Sequence, residues 1–120
     1  MKIFLQSFGR KYGVPEADIV LDVRCLDNPF WVSELKPLSG LDEPVKSYIF
    51  SNRESLDYAR KAADLLKAQA RLAQQRNCEV LHIAIGCTGG RHRSVAVTEF
   101  LARKLNEYEI EVEHRDIGRG

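Results

Sequence analysis

Cys87, Arg93 and Ser94 stand in the pattern Cys-x5-Arg-Ser, with Thr88-Gly89-Gly90-Arg91-His92 between them. Two chemistries fit that spacing. In the first, a phosphate rests on the turn. Gly89 and Gly90 let the backbone come close, the first-turn amides of a following helix are unpaired donors, and the helix dipole adds partial positive charge. Arg93 supplies a planar fork for two phosphate oxygens. In the second, Cys87 is a nucleophile whose thiolate is favoured by the helix N-terminus and Arg93 and which attacks the phosphorus of a phosphomonoester. Against this, Gly86 stands where cysteine-dependent phosphatases carry a histidine, and no aspartate is placed convincingly as general acid, although Asp22 or Asp116 could serve. The binding reading is preferred, and Cys87 and Arg93 are the catalytic pair of the alternative.

Such a turn needs a strand before it and a helix after it. Residues 79–86 (EVLHIAIG) have the near-continuous apolar character of a central parallel strand, and residues 91–106 continue as a helix with Val97, Leu101 and Leu105 inward. Residues 2–8 and 18–24 read as two further strands separated by a Gly13-Val14-Pro15 turn, and residues 110–114 as a last one. Between them, residues 25–42 carry Pro29, Pro37 and Gly40 and read as an irregular functional loop, followed by a short helix with Asp42 or Glu43 as cap and Pro44 in its first turn. Residues 55–76 form the clearest helix, with Leu56, Ala59, Ala63, Leu66, Ala70 and Ala73 on one stripe. Packing of that stripe on the sheet is preferred to a dimer seam. The order predicts a single α/β domain with a mainly parallel central sheet of about four strands flanked by helices. Ligands in such sheets sit at the carboxyl ends of the strands, where the glycine turn falls.

The second strand brings Asp22 and Arg24 to the same edge, with Asn28 and Trp31 in the loop beyond. Arg24 could be a second anion contact and Asp22 or Asn28 an acceptor for sugar hydroxyls or an amine; equally, Asp22 and Arg24 could form a pair that locks the loop. His82 lies inside an apolar strand and reads as a hydrogen-bonded residue rather than a ligand. His92 has the better functional case, while His114-Arg115-Asp116 reads equally as a reach toward the site or a surface ion pair. Trp31 is expected to cap the core rather than to serve as a sugar platform.

Composition bounds the class. The 120 residues are 44% hydrophobic and 29% charged, as in a globular protein of one core, and no apolar run is long enough to span a bilayer. No leader is visible after Met1-Lys2, so a cytoplasmic location without membrane association is expected. Three cysteines without a CxxC motif favour reduced thiols over disulfides or zinc, and neither a metal nor a cofactor is expected. With 18 basic and 17 acidic residues, an anionic partner must be met by a local patch.

The chain also resembles a known family. Gln6-Ser7-Phe8-Gly9 with Lys11-Tyr12-Gly13, Asp22-Val23-Arg24 with Asn28-Pro29, Gly40-Leu41-Asp42-Glu43-Pro44-Val45, Ala84 to Gly90 with His92-Arg93-Ser94-Val95, and His114-Arg115-Asp116 are similar, in order, to the C-terminal domain of the RapZ family, bacterial proteins that include RNase adapters. Residues 1–120 then read as one ligand-binding domain of that type. The resemblance implies a ligand-sensing rather than a catalytic domain, one that binds the amino sugar glucosamine-6-phosphate and is associated with small regulatory RNAs, an RNase partner and self-association. Carried over by position, the phosphate would sit on Thr88, Gly89, Gly90, His92 and Arg93, with Ser94 next in line and Cys87 at the base, and Asp22, Arg24 and Asn28 would form the remaining wall. No G-x-x-x-x-G-K-[ST] segment occurs, so nucleotide hydrolysis is not carried over, and a separate nucleotide-binding protein is a further candidate partner. The end after Asp116 is short and only weakly basic, which leaves RNA binding open.

Overall fold

A computed structural model describes residues 1–119 and folds them into four strands and three helices: β1 (Lys2–Gly9), β2 (Ile19–Asp22), α1 (Glu43–Phe50), α2 (Arg53–Gln75), β3 (Val80–Cys87), α3 (Arg93–Lys104) and β4 (Glu109–His114). Short 3-10 turns occupy Arg10–Tyr12 and Pro29–Trp31. The sheet is parallel throughout, in the order β2-β3-β1-β4. β1 and β3 run side by side from Lys2 opposite Val80 to Gly9 opposite Cys87, so both central strands end at the same edge.

Strand alternation sorts the sheet into two unlike faces. One carries Ile3 and Leu5 with Leu81, Ile83, Ile85 and Cys87, and these join Val45, Ile49, Ala59, Ala63, Leu66, Val97 and Leu101 of the helices in a single core. The helices also pack on one another. The alanine stripe of α2 is therefore spent on the domain's own core, Ala59 and Ala70 being fully buried. The other face is bound by polar and stacking contacts. The Phe4 and His82 rings stack at 4.7 Å, His82 Nε2 donates to Gln6 Oε1 at 2.9 Å, and Gln6 Nε2 donates to Glu113 Oε1 at 2.6 Å. On the same face a Cβ at residue 86 would run into the Phe8 ring, so this position admits no histidine without moving Phe8.

Local chemistry sets the element ends. α2 starts at Arg53, two residues before the expected start at residue 55, because Asn52 Oδ1 accepts from the amide of Glu54 at 2.9 Å. It ends where Asn77 takes a positive φ of 65° and the amides of Asn77 and Cys78 return to the carbonyls of Gln74 and Ala73, a Schellman arrangement. Asp42 precedes α1 as expected, but its carboxylate accepts from the amide of Ser39 at 2.8 Å and closes the end of the long loop instead of capping the helix.

Candidate anion-binding cleft

The glycine turn leaves the central strand at Cys87 and enters α3 at Arg93, so Arg91 and His92 belong to the turn rather than to the helix. Gly90 sits at φ +80°, a conformation that costs any L side chain, and a Cβ there would lie 2.5 Å from the amide nitrogen of Gly9 and 2.9 Å from Cβ of Asp116. Gly9 is held as closely, since its own Cβ would meet the carbonyl of Gly89. Gly89, by contrast, has open space around it. The two glycines thus divide the work: Gly90 fits the turn against β1, and Gly89 presents bare backbone outward.

Beneath the turn lies Asp116, fully buried after β4. Its Oδ2 accepts from the amide of Gly9 at 2.7 Å and from Arg115 Nη2 at 2.9 Å, and Oδ1 is 3.4 Å from Arg119 Nε. Burial alone would raise this carboxyl, but the Arg115 hydrogen bond, the Gly9 amide and the two guanidinium charges outweigh it and hold it below the usual carboxylate range. Beside it, His114 Nε2 donates to Glu99 Oε2 at 2.8 Å while Nδ1 is 2.7 Å from Ser7 Oγ. This segment is thus an internal brace of the site, not a surface pair.

The three basic residues of the turn all reach across to the long loop. Arg91 Nε donates to the carbonyl of Leu38 at 3.0 Å, His92 Nε2 to that of Leu35 at 3.2 Å, and Arg93 Nη1 to those of Arg24 at 2.7 Å and Leu26 at 3.3 Å. Burial pushes the His92 imidazole down from its ordinary value, and the carbonyls of Leu35, Lys36 and Leu38 pull it back only in part. The neutral ring carries its proton on Nε2, because the carbonyl can only accept. Arg93 uses one nitrogen on the loop. Its Nε and Nη2 make no hydrogen bond to protein groups among the described residues, although the residue is only 6% exposed.

Turn and loop together enclose a cleft of about 690 Å³. From the expected set, Cys87, Thr88, Gly89, Gly90, His92, Arg93 and Asn28 line it. Ser94 does not: it is fully buried beneath, with its Oγ 3.2 Å from the Cys87 sulfur. Asp22 and Arg24 also lie off the cleft wall. Arg24 grips Asp22 through Nε at 2.9 Å and Nη2 at 2.6 Å, the pairing that locks the loop's start, and this holds the Asp22 carboxyl at about 2. Asn28 lends its Oδ1 to the amide of Phe30 at 3.1 Å. Cys87 is 3% exposed; its sulfur donates to Ser94 Oγ and accepts from the amide of Gly90 at 3.3 Å.

The cleft also contains residues that strand and helix patterns did not single out as site residues. Lys11, Lys36 and Arg119 join Arg91 and Arg93 on its wall, and among the described residues no aspartate or glutamate lines it. A chain of nearly balanced charge thus gathers five cations and, among the described residues, no acidic side chain in one place. Phe30 and Trp31 form its lip, edge to face at 5.2 Å, with Lys36 Nζ 4.5 Å from the Phe30 ring centre. Trp31 is 78% exposed, which corrects the expectation that it caps the core. The 3-10 turn after Asn28 points it outward, and Pro29 is the residue of that turn that is buried.

Fold and cleft define a parallel α/β domain with a basic, glycine-lined receptacle at the carboxyl ends of its central strands. Comparison with known families makes this specific: the RapZ C-terminal domain model matches residues 1–118, and the chain belongs to that family. It is 48% identical over 120 residues to a "Nucleotide-binding protein" of Carboxydothermus hydrogenoformans, covering 98% of this chain and 42% of the relative. It is 45% identical over 118 residues to a protein of the same description from Bacillus thuringiensis, covering 97% of this chain and 40% of the relative. The chain therefore spans about two fifths of the length of these curated relatives. None of the described helices is long and apolar enough to cross a membrane.

Proposed function

We propose that this domain of the RapZ type binds a phosphorylated metabolite without transforming it, the phosphate resting on the Gly89-Gly90 turn and Arg93. The observation that carries this reading is the charge of the cleft: five cations and, among the described residues, no acidic side chain around a glycine turn. The amides of Gly89, Arg91 and His92 make no hydrogen bond to protein groups among the described residues and are free to donate. Glucosamine-6-phosphate, the amino-sugar phosphate that family likeness suggests, is the first candidate. Its ammonium would meet no acidic side chain among the described residues of the cleft, so the phosphate dominates recognition and the amine adds little.

Two features support binding over catalysis. The Cys87 sulfur is nearly enclosed and engaged with Ser94 and Gly90, and the aspartates that could act as general acid are committed elsewhere, Asp22 to Arg24 and Asp116 to Gly9 and Arg115. The output suggested by the family is regulatory: coupling of the occupied cleft to a small RNA or an RNase, self-association, or service to a separate nucleotide-binding domain.

Calorimetric titration with glucosamine-6-phosphate, glucosamine and inorganic phosphate tests the reading. Binding of glucosamine-6-phosphate in the micromolar range, with none of glucosamine, is expected, and Arg93→Ala should weaken it at least about tenfold, the worth of one charge-assisted hydrogen-bonding pair. Because Arg93 also holds two loop carbonyls, thermal melting of the variant serves as the folding control. Hydrolysis of a phosphomonoester by the wild type, abolished in Cys87→Ser, would overturn the non-catalytic part.

A further inference from the structure

The Phe30–Trp31 lip, with Lys36 against the Phe30 ring and the Trp31 indole exposed, has no role in seating a phosphate. We propose that it is a second subsite of the same cleft, which takes the base of a nucleoside monophosphate while the phosphate occupies the Gly89-Gly90 turn, so that nucleotide and sugar phosphate compete for one seat. The inference rests on the phosphate seat proposed above and extends its ligand class.

Three observations carry it. First, the indole of Trp31 is almost wholly exposed and meets Phe30 edge to face, which leaves a flat π surface open at the mouth of the cleft. An aromatic platform beside a cationic groove is the arrangement on which bases stack irrespective of their identity. Second, the hydroxyl and amide side chains on the cleft wall are three, Asn28, Ser33 and Thr88, and the carbonyl oxygen of Asn28 already accepts from the amide of Phe30, so a flat ring at the mouth is met by aromatic surface more than by polar groups. Third, the volume of about 690 Å³ lies in the middle of the range of sites that hold drug-sized ligands, roughly 300–1,000 Å³, which gives room for a ring beyond the phosphate. Lys36, seated on the Phe30 ring, puts positive charge at the lip.

Trp31 is the only tryptophan of the chain, so its fluorescence reports on the lip alone. The test is titration of the whole chain with adenosine 5′-monophosphate and with ribose 5-phosphate, which carries an anomeric hydroxyl in place of the base, followed by competition with glucosamine-6-phosphate. The proposal expects the nucleotide to quench Trp31, to bind roughly tenfold more tightly than ribose 5-phosphate and to be displaced by glucosamine-6-phosphate. Trp31→Ala, followed by calorimetry, should bring the nucleotide down to the affinity of ribose 5-phosphate while leaving ribose 5-phosphate and glucosamine-6-phosphate within about twofold, and Trp31→Phe should recover part of the difference. Equal affinity of nucleotide and ribose 5-phosphate, or equal weakening of all three by Trp31→Ala, would overturn the subsite and leave the phosphate seat standing. Failure of inorganic phosphate and every phosphate ester to bind would instead remove the seat, and the subsite with it.

Discussion

Gly89 and Gly90 are neighbours of the same type with opposite reasons for being glycine. Gly90 is required by conformation and by fit: its φ of +80° is strained for any L side chain, and Gly9 and Asp116 occupy the space a Cβ would need. Gly89 has neither constraint. Gly90→Ala should therefore cost about 1–3 kcal/mol in urea denaturation, and Gly89→Ala should stay within about 0.5 kcal/mol of the wild type. Equal losses would mean that the turn is not seated on β1 as described. Sequence reasoning found the pair as a unit through its position between an apolar strand and a helix, but it could not divide their roles. The division depends on Gly9 and Asp116, which lie far away in the chain and meet the turn only through the parallel pairing of β1 with β3 and β4.

At the scale of elements, the fold turns a loop without regular structure into the second wall of a site by holding its carbonyls from the turn. Arg91, His92 and Arg93 each reach it, and His92 makes the attachment sensitive to pH. Burial lowers the folded His92 below its ordinary value of 6.5, so the unfolded chain takes up the proton more readily. The contribution of the neutral ring to stability is whole above about pH 6.5 and declines as pH falls through the unfolded value toward the folded one. Denaturation at a series of pH values from about 7.5 to 5.5 should show the wild type losing stability faster than His92→Gln, whose amide can still donate to Leu35. Parallel pH profiles would place the imidazole in solvent. The strands, the helices and the strand-turn-helix core of the site were legible because hydrophobic periodicity and glycine placement are local signals. The loop was legible only as irregular. Alternation put Asp22 and Arg24 on one side of their strand, but whether they faced a ligand or each other depended on side-chain reach, which a repeat pattern does not encode.

For the whole molecule, near-neutral net charge conceals a strongly polarised distribution. Lys11 follows β1, Lys36 lies in the long loop, Arg91 and Arg93 flank the start of α3, and Arg119 follows β4. No window of sequence contains this cluster. The parallel topology assembles it, because every strand delivers its following loop to the same edge. In this respect the domain illustrates how a site can belong to the topology more than to any motif within it.

The phosphate seat is tested most sharply by a 15N-resolved amide titration of the chain with glucosamine-6-phosphate against glucosamine. Saturable shifts centred on the amides of Gly89, Gly90, Arg91 and His92 are expected with the phosphate ester alone, and none with glucosamine, which lacks the phosphate. Shifts of equal size with both compounds, or shifts confined to residues away from the glycine turn, would contradict the claim that this turn receives a phosphate.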